Sequence, residues 1–301
     1  MSKTSQTNVA TRQSAAWLSP IPIFFVLLWS TGFIVAKFGL PFAPPLTFLL
    51  LRCGAVLLVL VPLVLWFKAP WPKGSIGHIA VAGLLLQAGY LGGVWCAIKL
   101  GMPAGVTALI VGMQPILTAA AAPLIGESVR PRQWLGLLFG LTGVALVVYA
   151  KITLVGLSPL AIGYCLLALL SITAGTMYQR RFCPQFDLRT GTVIQFAATV
   201  AVLMPMAMVF EQLTPELETV QWTPSFIGAL LWSVFALSIG AIFLLFTLLR
   251  RSDATAVTSL LYLTPPTTAV MAWIMFGEAF SWFGVLGMAI AVVGVVCVVK
   301  K

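Results

Sequence analysis

Acid is what this chain has least of. Its 301 residues include seven Asp and Glu and one histidine, against seventeen Lys and Arg. Charged residues make up 8% of the total, where a soluble domain needs about a quarter to dress its surface. A water-facing globule is excluded. One histidine cannot make a His-x-x-x-His metal pair, and no Gly-Lys-Ser/Thr string offers a phosphate loop, so neither a zinc hydrolase nor a built-in ATPase is encoded. The acids avoid the middle of every apolar run, which leaves no paired carboxylates for hydrolysis inside a membrane. Cys53, Cys96, Cys165, Cys183 and Cys297 are scattered, mostly within apolar runs, with no Cys-x-x-Cys pair. They read as small packing residues and not as bridges or metal ligands. No enzyme, metal or cofactor is expected.

Apolar length is what the chain has in quantity. Hydrophobic residues make up 60%, and runs near 20 residues recur from Ile21 onward, each able to cross about 30 Å of hydrocarbon. Barrel strands would alternate apolar and polar residues in segments of about ten, and no such alternation is present. The expected fold is an all-α integral membrane protein. Pro and Gly punctuation, as in "PFAPP", "APWPKG" and "GMPAG", delimits ten transmembrane helices. They cover 21–38, 45–66, 76–98, 103–125, 133–150, 158–180, 190–210, 225–249, 254–276 and 281–299. Residues 1–20 are polar and read as a cytoplasmic tail. The first run reaches Lys37 without a small-residue cleavage site, so it is an uncleaved span.

Lys and Arg set the direction of threading. With the N-terminus inside, the cytoplasmic side collects Lys3, Arg12, Lys68, Lys73, Arg130, Arg132, Arg180, Arg181, Arg189, Arg250, Arg251, Lys300 and Lys301. The outer ends keep Lys37, Lys99 and Lys151, and Arg52 lies within the second span. Glu211, Glu216, Glu218 and Glu278 fall outside. Both termini are expected in the cytoplasm. Topology and anionic headgroups therefore explain the net charge of +10, and no soluble module exists to carry nucleic acid.

One phrase is written twice. "PLIGESVRPRQWLGLLFGLTG" (123–143) returns as "IMFGEAFSWFGVLGMAIAVVG" (274–294). Gly126, Glu127, Gly136 and Gly143 match Gly277, Glu278, Gly287 and Gly294, each 151 residues later. The register holds without gaps from Val106 with Val257 to Val148 with Val299, pairing Thr107 with Thr258 and Pro115 with Pro266. Five helices separate the copies, an odd number, so the phrase enters the membrane in opposite directions. The expectation is two inverted five-helix halves, 21–150 and 151–301. That architecture lets a carrier alternate between two faces around a midplane site.

Those strings, with "LLWSTGFIVAKFG" in the first span and Pro44–Pro45 followed by Arg52, resemble the drug/metabolite transporter superfamily, specifically its EamA-type carriers. The resemblance covers nearly everything after residue 20. It implies ten helices in inverted halves, a place in the bacterial inner membrane, and export or exchange of small metabolites, often amino acids. One branch exports aromatic amino acids, and these motifs do not separate it from its relatives. Small cationic-drug exporters of related type use a first-helix glutamate, which this chain lacks. Proton-driven carriers generally need a buried group that titrates. Facilitated transport or exchange is thus expected over proton antiport, with His78 an interfacial residue at the inner mouth of the third span.

Polar and aromatic residues inside spans mark the expected cavity: Trp29, Ser30, Gln87, Tyr90, Gln114, Thr176, Ser238, Tyr262 and Thr264. An unpaired amide in hydrocarbon is expensive, so Gln87 and Gln114 either bond a neighbouring helix or face a wet cavity. Tyr90, three residues past Gln87, is expected on roughly the same face. Pro115 and Pro266 sit at the centres of the fourth and ninth spans and read as kinks, either gating or static. Lys37, Lys99 and Arg52 are candidates to contact an anionic group; alternatively the lysines snorkel to headgroups and Arg52 pairs with a helix-end carbonyl.

Glu127 and Glu278 each follow a helix-ending glycine and precede the next helix, where negative charge is favoured by about 0.3–1 kcal/mol. They read as structural. Gly136, Gly140 and Gly143, with Gly287, Ala291 and Gly294, form a small-residue stripe for close helix packing. Gly89 and Gly93 either pack likewise or make room for substrate. The expected partners are a small-molecule substrate and the lipid bilayer, with monomer or weak homodimer left open. Two other readings also stay open. One is a carrier of sugar phosphates or nucleotide sugars, in which Lys37, Lys99 and Arg52 hold the anion. The other is a non-transporting membrane assembly protein.

Overall fold

A computed structural model of the chain describes residues 20–121, 131–155, 158–183, 185–214, 216–241, 244, 261–278 and 281–299. Among them every element is helical. In order they are α1 (Ile21–Gly39), α2 (Pro45–Trp66) and α3 (Ile76–Gly83), which continues through a π segment (Leu84–Gly89) into α4 (Tyr90–Lys99). Next come α5 (Ala104–Val111), α6 (Gln114–Ala121), α7 (Pro131–Val155), α8 (Pro159–Phe182) and α9 (Leu188–Phe210). Then α10 (Pro224–Leu231) runs into a second π segment (Trp232–Gly240). A 3-10 turn (Leu261–Leu263) leads into α11 (Thr264–Phe276), and α12 (Trp282–Val299) follows.

Five stretches, Ile21–Gly39, Pro45–Trp66, Ile76–Lys99, Pro159–Phe182 and Leu188–Phe210, are long and apolar enough to cross a membrane. Each coincides with an expected span. Their outward faces are apolar: Trp66 is 82% exposed and Leu58 78%, a surface that suits lipid and not water. Proline marks the starts because its missing N–H costs nothing in a helix's first turn. Pro22, Pro45, Pro159, Pro224 and Pro265 all sit there.

The fourth and ninth spans differ from expectation. Each was expected to be one helix kinked at a central proline. Instead the fourth is broken at Gly112–Met113, and Pro115 is the second residue of the new helix α6. The ninth reaches α11 through the 3-10 turn, with Pro266 in the first turn of α11. Proline fits a helix start best, since its missing N–H costs nothing there, although Pro62 and Pro205 are carried inside α2 and α9. The two places touch: a Cβ on Gly112 would lie 2.7 Å from Pro265 Cγ. Nearer its start, α5 also meets α11, with Gly105 against Ala269.

The glycine stripes pack on each other. A Cβ on Gly143 would meet Gly287 O at 2.5 Å, and one on Gly287 would meet Gly143 O at 2.6 Å. At the other end, Gly294 lies against Gly136 O and Gly140 N. Ascending numbers on α7 thus face descending numbers on α12, so the two helices run antiparallel with their backbones in contact. Gly126 and Glu127, from the same phrase, lie outside the described residues. Gly89 and Gly93 also prove to be packing positions, against Ser171 Oγ and Tyr164 O of α8. Cys53, Cys96, Cys165 and Cys183 are free thiols.

Two helices take their caps from far along the chain. Pro44 and Pro103 precede α2 and α5 and offer no side-chain acceptor, leaving first-turn N–H groups unpaired. For α2 the acceptor is Glu211, whose carboxylate takes Leu46 N at 2.8 Å, Thr47 N at 2.7 Å and Thr47 Oγ1 at 2.8 Å. For α5 it is Glu278, which takes Ala104 N at 3.2 Å. Gly277, at φ 64°, ends α11 as expected, with Glu278 N bonding back to Ala272 O. Yet the Glu278 carboxylate serves α5 and not the following α12. Ser281 Oγ already accepts Gly284 N at 3.0 Å there.

Two stability measurements check this packing. Gly143→Val should cost about 1–3 kcal/mol in detergent melting, because the backbones must separate, whereas Gly163→Ala, facing open space, should change it by less than about 0.5 kcal/mol. Glu211→Gln should destabilise by about 1–2 kcal/mol through loss of charge-assisted bonds to α2.

Candidate functional site

Regular α-helix leaves no backbone group free in its interior, so departures from it inside a membrane mark places served by other polar groups. Among the described residues, two are π segments. In the first the N–H of Tyr90 bonds Leu85 O, five residues back. In the second, Ala241 bonds Ala236 O in the same way. The break at Gly112–Met113 and the 3-10 turn at Leu261–Leu263 are further departures. Single π turns recur at functional sites because they reset the direction of following side chains. For that reason the α-helical spacing that would stack Tyr90 over Gln87 does not apply.

The irregularities stand at the separation of the repeated phrase. Gly89 and Gly240 end the two π segments and lie 151 residues apart, as do Gln87 and Ser238 within them. Gly112, at the break, and Leu263, at the end of the 3-10 turn, stand at the same separation.

Several expected site residues meet here. Gln114, the first residue of α6, donates Nε2–H to Thr176 Oγ1 on α8 at 2.9 Å. Thr176 in turn donates to Ile172 O at 2.7 Å. Arg52 is buried on α2 and, among the described residues, bonds no helix-end carbonyl. Its Nε and Nη2 donate to Ser238 Oγ at 3.2 and 3.1 Å, and Ser238 donates to Ser233 O at 2.9 Å. Five residues separate Ser233 from Ser238, the spacing of a π turn. On the α1–α11 contact, Ser30 and Thr264 have enclosed hydroxyls with no partner among the described residues. Thr268 Oγ1 donates to Ser30 O at 3.4 Å.

Others stand apart. Gln87 is half-buried and makes no side-chain hydrogen bond among the described residues. Trp29 packs on Phe25, rings 5.5 Å apart, beside Leu244 and Leu261. The Tyr262 side chain is outside what is described. His78 lies at the opposite end from Lys37, 2.8 Å from Tyr178 Oη and stacked on Phe182.

Lys37 and Lys99 are already engaged. Lys37 Nζ is 2.5 Å from Glu278 Oε1 and 4.5 Å from the Phe276 ring centroid. Lys99 Nζ donates to Leu40 O, the C-cap carbonyl of α1, at 2.6 Å, a favourable place for a cation. With the Glu211 cap and Gln221 N donating to Phe42 O at 2.8 Å, these contacts tie α1, α2 and α5 to later elements at one end of the bundle. The Glu211 and Thr268 contacts were missed from sequence. The capless proline starts of α2 and α5 were the available signal for Glu211.

An uncharacterized transporter of Bacillus subtilis is 29% identical over 92% of this chain and 90% of its own length. An uncharacterized inner membrane transporter of Escherichia coli is 27% identical over 92% and 90%. A probable amino-acid metabolite efflux pump of Salmonella typhimurium is 25% identical over 91% and 92%. One crystal structure shares the fold with a TM-score of 0.64 and 22% identity, covering 95% of this chain and 96% of that one. The family description "EamA-like transporter family" matches twice, over residues 20–149 and again over 159–300, and the chain belongs to that family of membrane transporters.

Proposed function

We propose that the protein is an alternating-access carrier of the bacterial inner membrane that exports or exchanges small organic metabolites, amino acids among them. Its ten helices form two inverted halves around one pathway, with both termini in the cytoplasm. The observation that carries this reading is the recurrence of backbone irregularities in one register. Two π segments fall at corresponding places, as do the helix break at Gly112–Met113 and the 3-10 turn at Leu261–Leu263, and Gly112 lies against Pro265 just past that turn. Irregular backbone at membrane depth is tolerated where it is buried in protein or lines a water-filled cavity. Inverted halves with broken helices meeting near the midplane are the common plan of alternating-access carriers. Two similar proteins named as probable amino-acid metabolite efflux pumps support amino acids as cargo.

Coupling follows from the acids. Among the described residues none lies in the interior of a helix; Glu211 and Glu278 are at helix ends with their carboxylates engaged. Transport is therefore downhill or by exchange, with no carboxylate inside a helix among the described residues to carry protons. The test is counterflow in proteoliposomes with labelled amino acids, sugar phosphates and nucleosides, with and without a pH gradient. Amino-acid counterflow should persist without the gradient and change less than about twofold when it is imposed, within the scatter expected of an uncoupled carrier. Flux that requires the gradient would overturn the coupling, and no flux of any cargo would overturn the carrier.

A further inference from the structure

Arg52 presents a problem of charge. It sits seven residues into α2, about 10 Å along the helix from its start at 1.5 Å per residue, and is 8% exposed. A guanidinium has five N–H donors. Here two groups, Nε and Nη2, share a single acceptor, Ser238 Oγ. No carboxylate among the described residues reaches it. Glu211, on the neighbouring α9, has its oxygens turned to the start of α2. A buried ion without a counter-charge costs several kcal/mol, so an empty site of this kind is maintained at the expense of stability.

The surroundings are built to hold the guanidinium still. Ser238 lies in the second π segment, and the π turn lets its hydroxyl hydrogen bond Ser233 O while its oxygen accepts from Arg52. Tyr90, at the exit of the first π segment, is within electrostatic reach of Arg52. The second π segment thus holds the cation directly. Beyond Ser238 Oγ, the guanidinium makes no hydrogen bond among the described residues, which leaves donors unused.

We infer that Arg52, held by Ser238, is the anchor for a carboxylate on the transported molecule, which makes the cargo a small organic monoanion or a zwitterion. This rests on the carrier reading above. The class follows from counting cations. A planar guanidinium pairs with a carboxylate through two parallel hydrogen bonds. A sugar phosphate or nucleotide sugar carries close to two negative charges and calls for a second cation at the same depth. Lys37 is committed to Glu278 and Lys99 to Leu40 O. The one uncompensated buried charge among the described residues fits one carboxylate. The cargo then completes the ion pair that the protein leaves unmade.

The experiment compares matched ligands on the full-length protein in detergent, read by ligand-dependent melting. The panel is phenylalanine, leucine and 3-phenylpropionate, each beside its carboxamide, with phenethylamine and glucose 6-phosphate. At least one carboxylate should bind about tenfold or more tightly than its amide, the range of a charge-assisted pair. Arg52→Gln should abolish that preference, and Arg52→Lys should retain part of it. Should Arg52→Gln fail to fold, Ser238→Ala reads the same site: carboxylate binding weaker by about threefold or more, amide binding unchanged, as expected for loss of one positioning hydrogen bond. Amides binding as well as every carboxylate, tighter binding of glucose 6-phosphate, or no effect of Ser238→Ala would each overturn the assignment. Carboxylate-selective binding without counterflow of any cargo would leave the site standing and remove the carrier.

Discussion

A polar backbone group that faces hydrocarbon without a partner costs several kcal/mol. That penalty governs where this chain departs from the α-helix. The π segments lie in the third and eighth expected spans, the break at Gly112–Met113 in the fourth and the 3-10 turn in the ninth. At each of the last two a proline stands in the first turn of the helix that follows. Side chains from neighbouring helices meet these places: Thr176 of α8 takes the Gln114 side-chain amide, and Arg52 of α2 donates to Ser238 in the second π segment. The same pressure closes the bundle at the Lys37 end, where two proline-started helices receive carboxylates from Glu211 and Glu278.

Charge is scarce, so its placement is informative. Glu278 holds one end of α5 and one lysine at once, which joins α1, α5 and the end of α11 in a single contact. Glu211 fixes the start of α2, the helix that carries Arg52. The buried cation is therefore mounted on an element whose end is pinned by a distant carboxylate, while its guanidinium is steered by a π turn. Rigid support with an unmatched charge is the arrangement that favours a ligand over a structural ion pair.

The spans were legible because apolar length and proline punctuation are local signals, and helix starts fall at Pro45, Pro159 and Pro224. The glycine stripe was legible too, since close backbone packing needs a missing Cβ, and Gly143 meets Gly287 directly. The π turns were not. No side-chain pattern specifies bonding five residues back, and a residue such as Ser238 shows its role only once Ser233 O is placed. Pro115 and Pro266 were read as interior kinks because nothing local announces a break just ahead of them. The Glu211 cap joins residues more than 160 positions apart, beyond what any window of sequence displays.

Everything functional depends on the two halves being inverted about a shared pathway, and side-specific labelling tests this most directly. Ser128 and Ala279 occupy matching places in the repeated phrase. In a background without the five native cysteines, each is replaced singly by cysteine and exposed to an impermeant maleimide on intact cells. Position 279 should label from outside, and position 128 only after the membrane is opened. Labelling of both from the same side would contradict the inversion and with it the carrier.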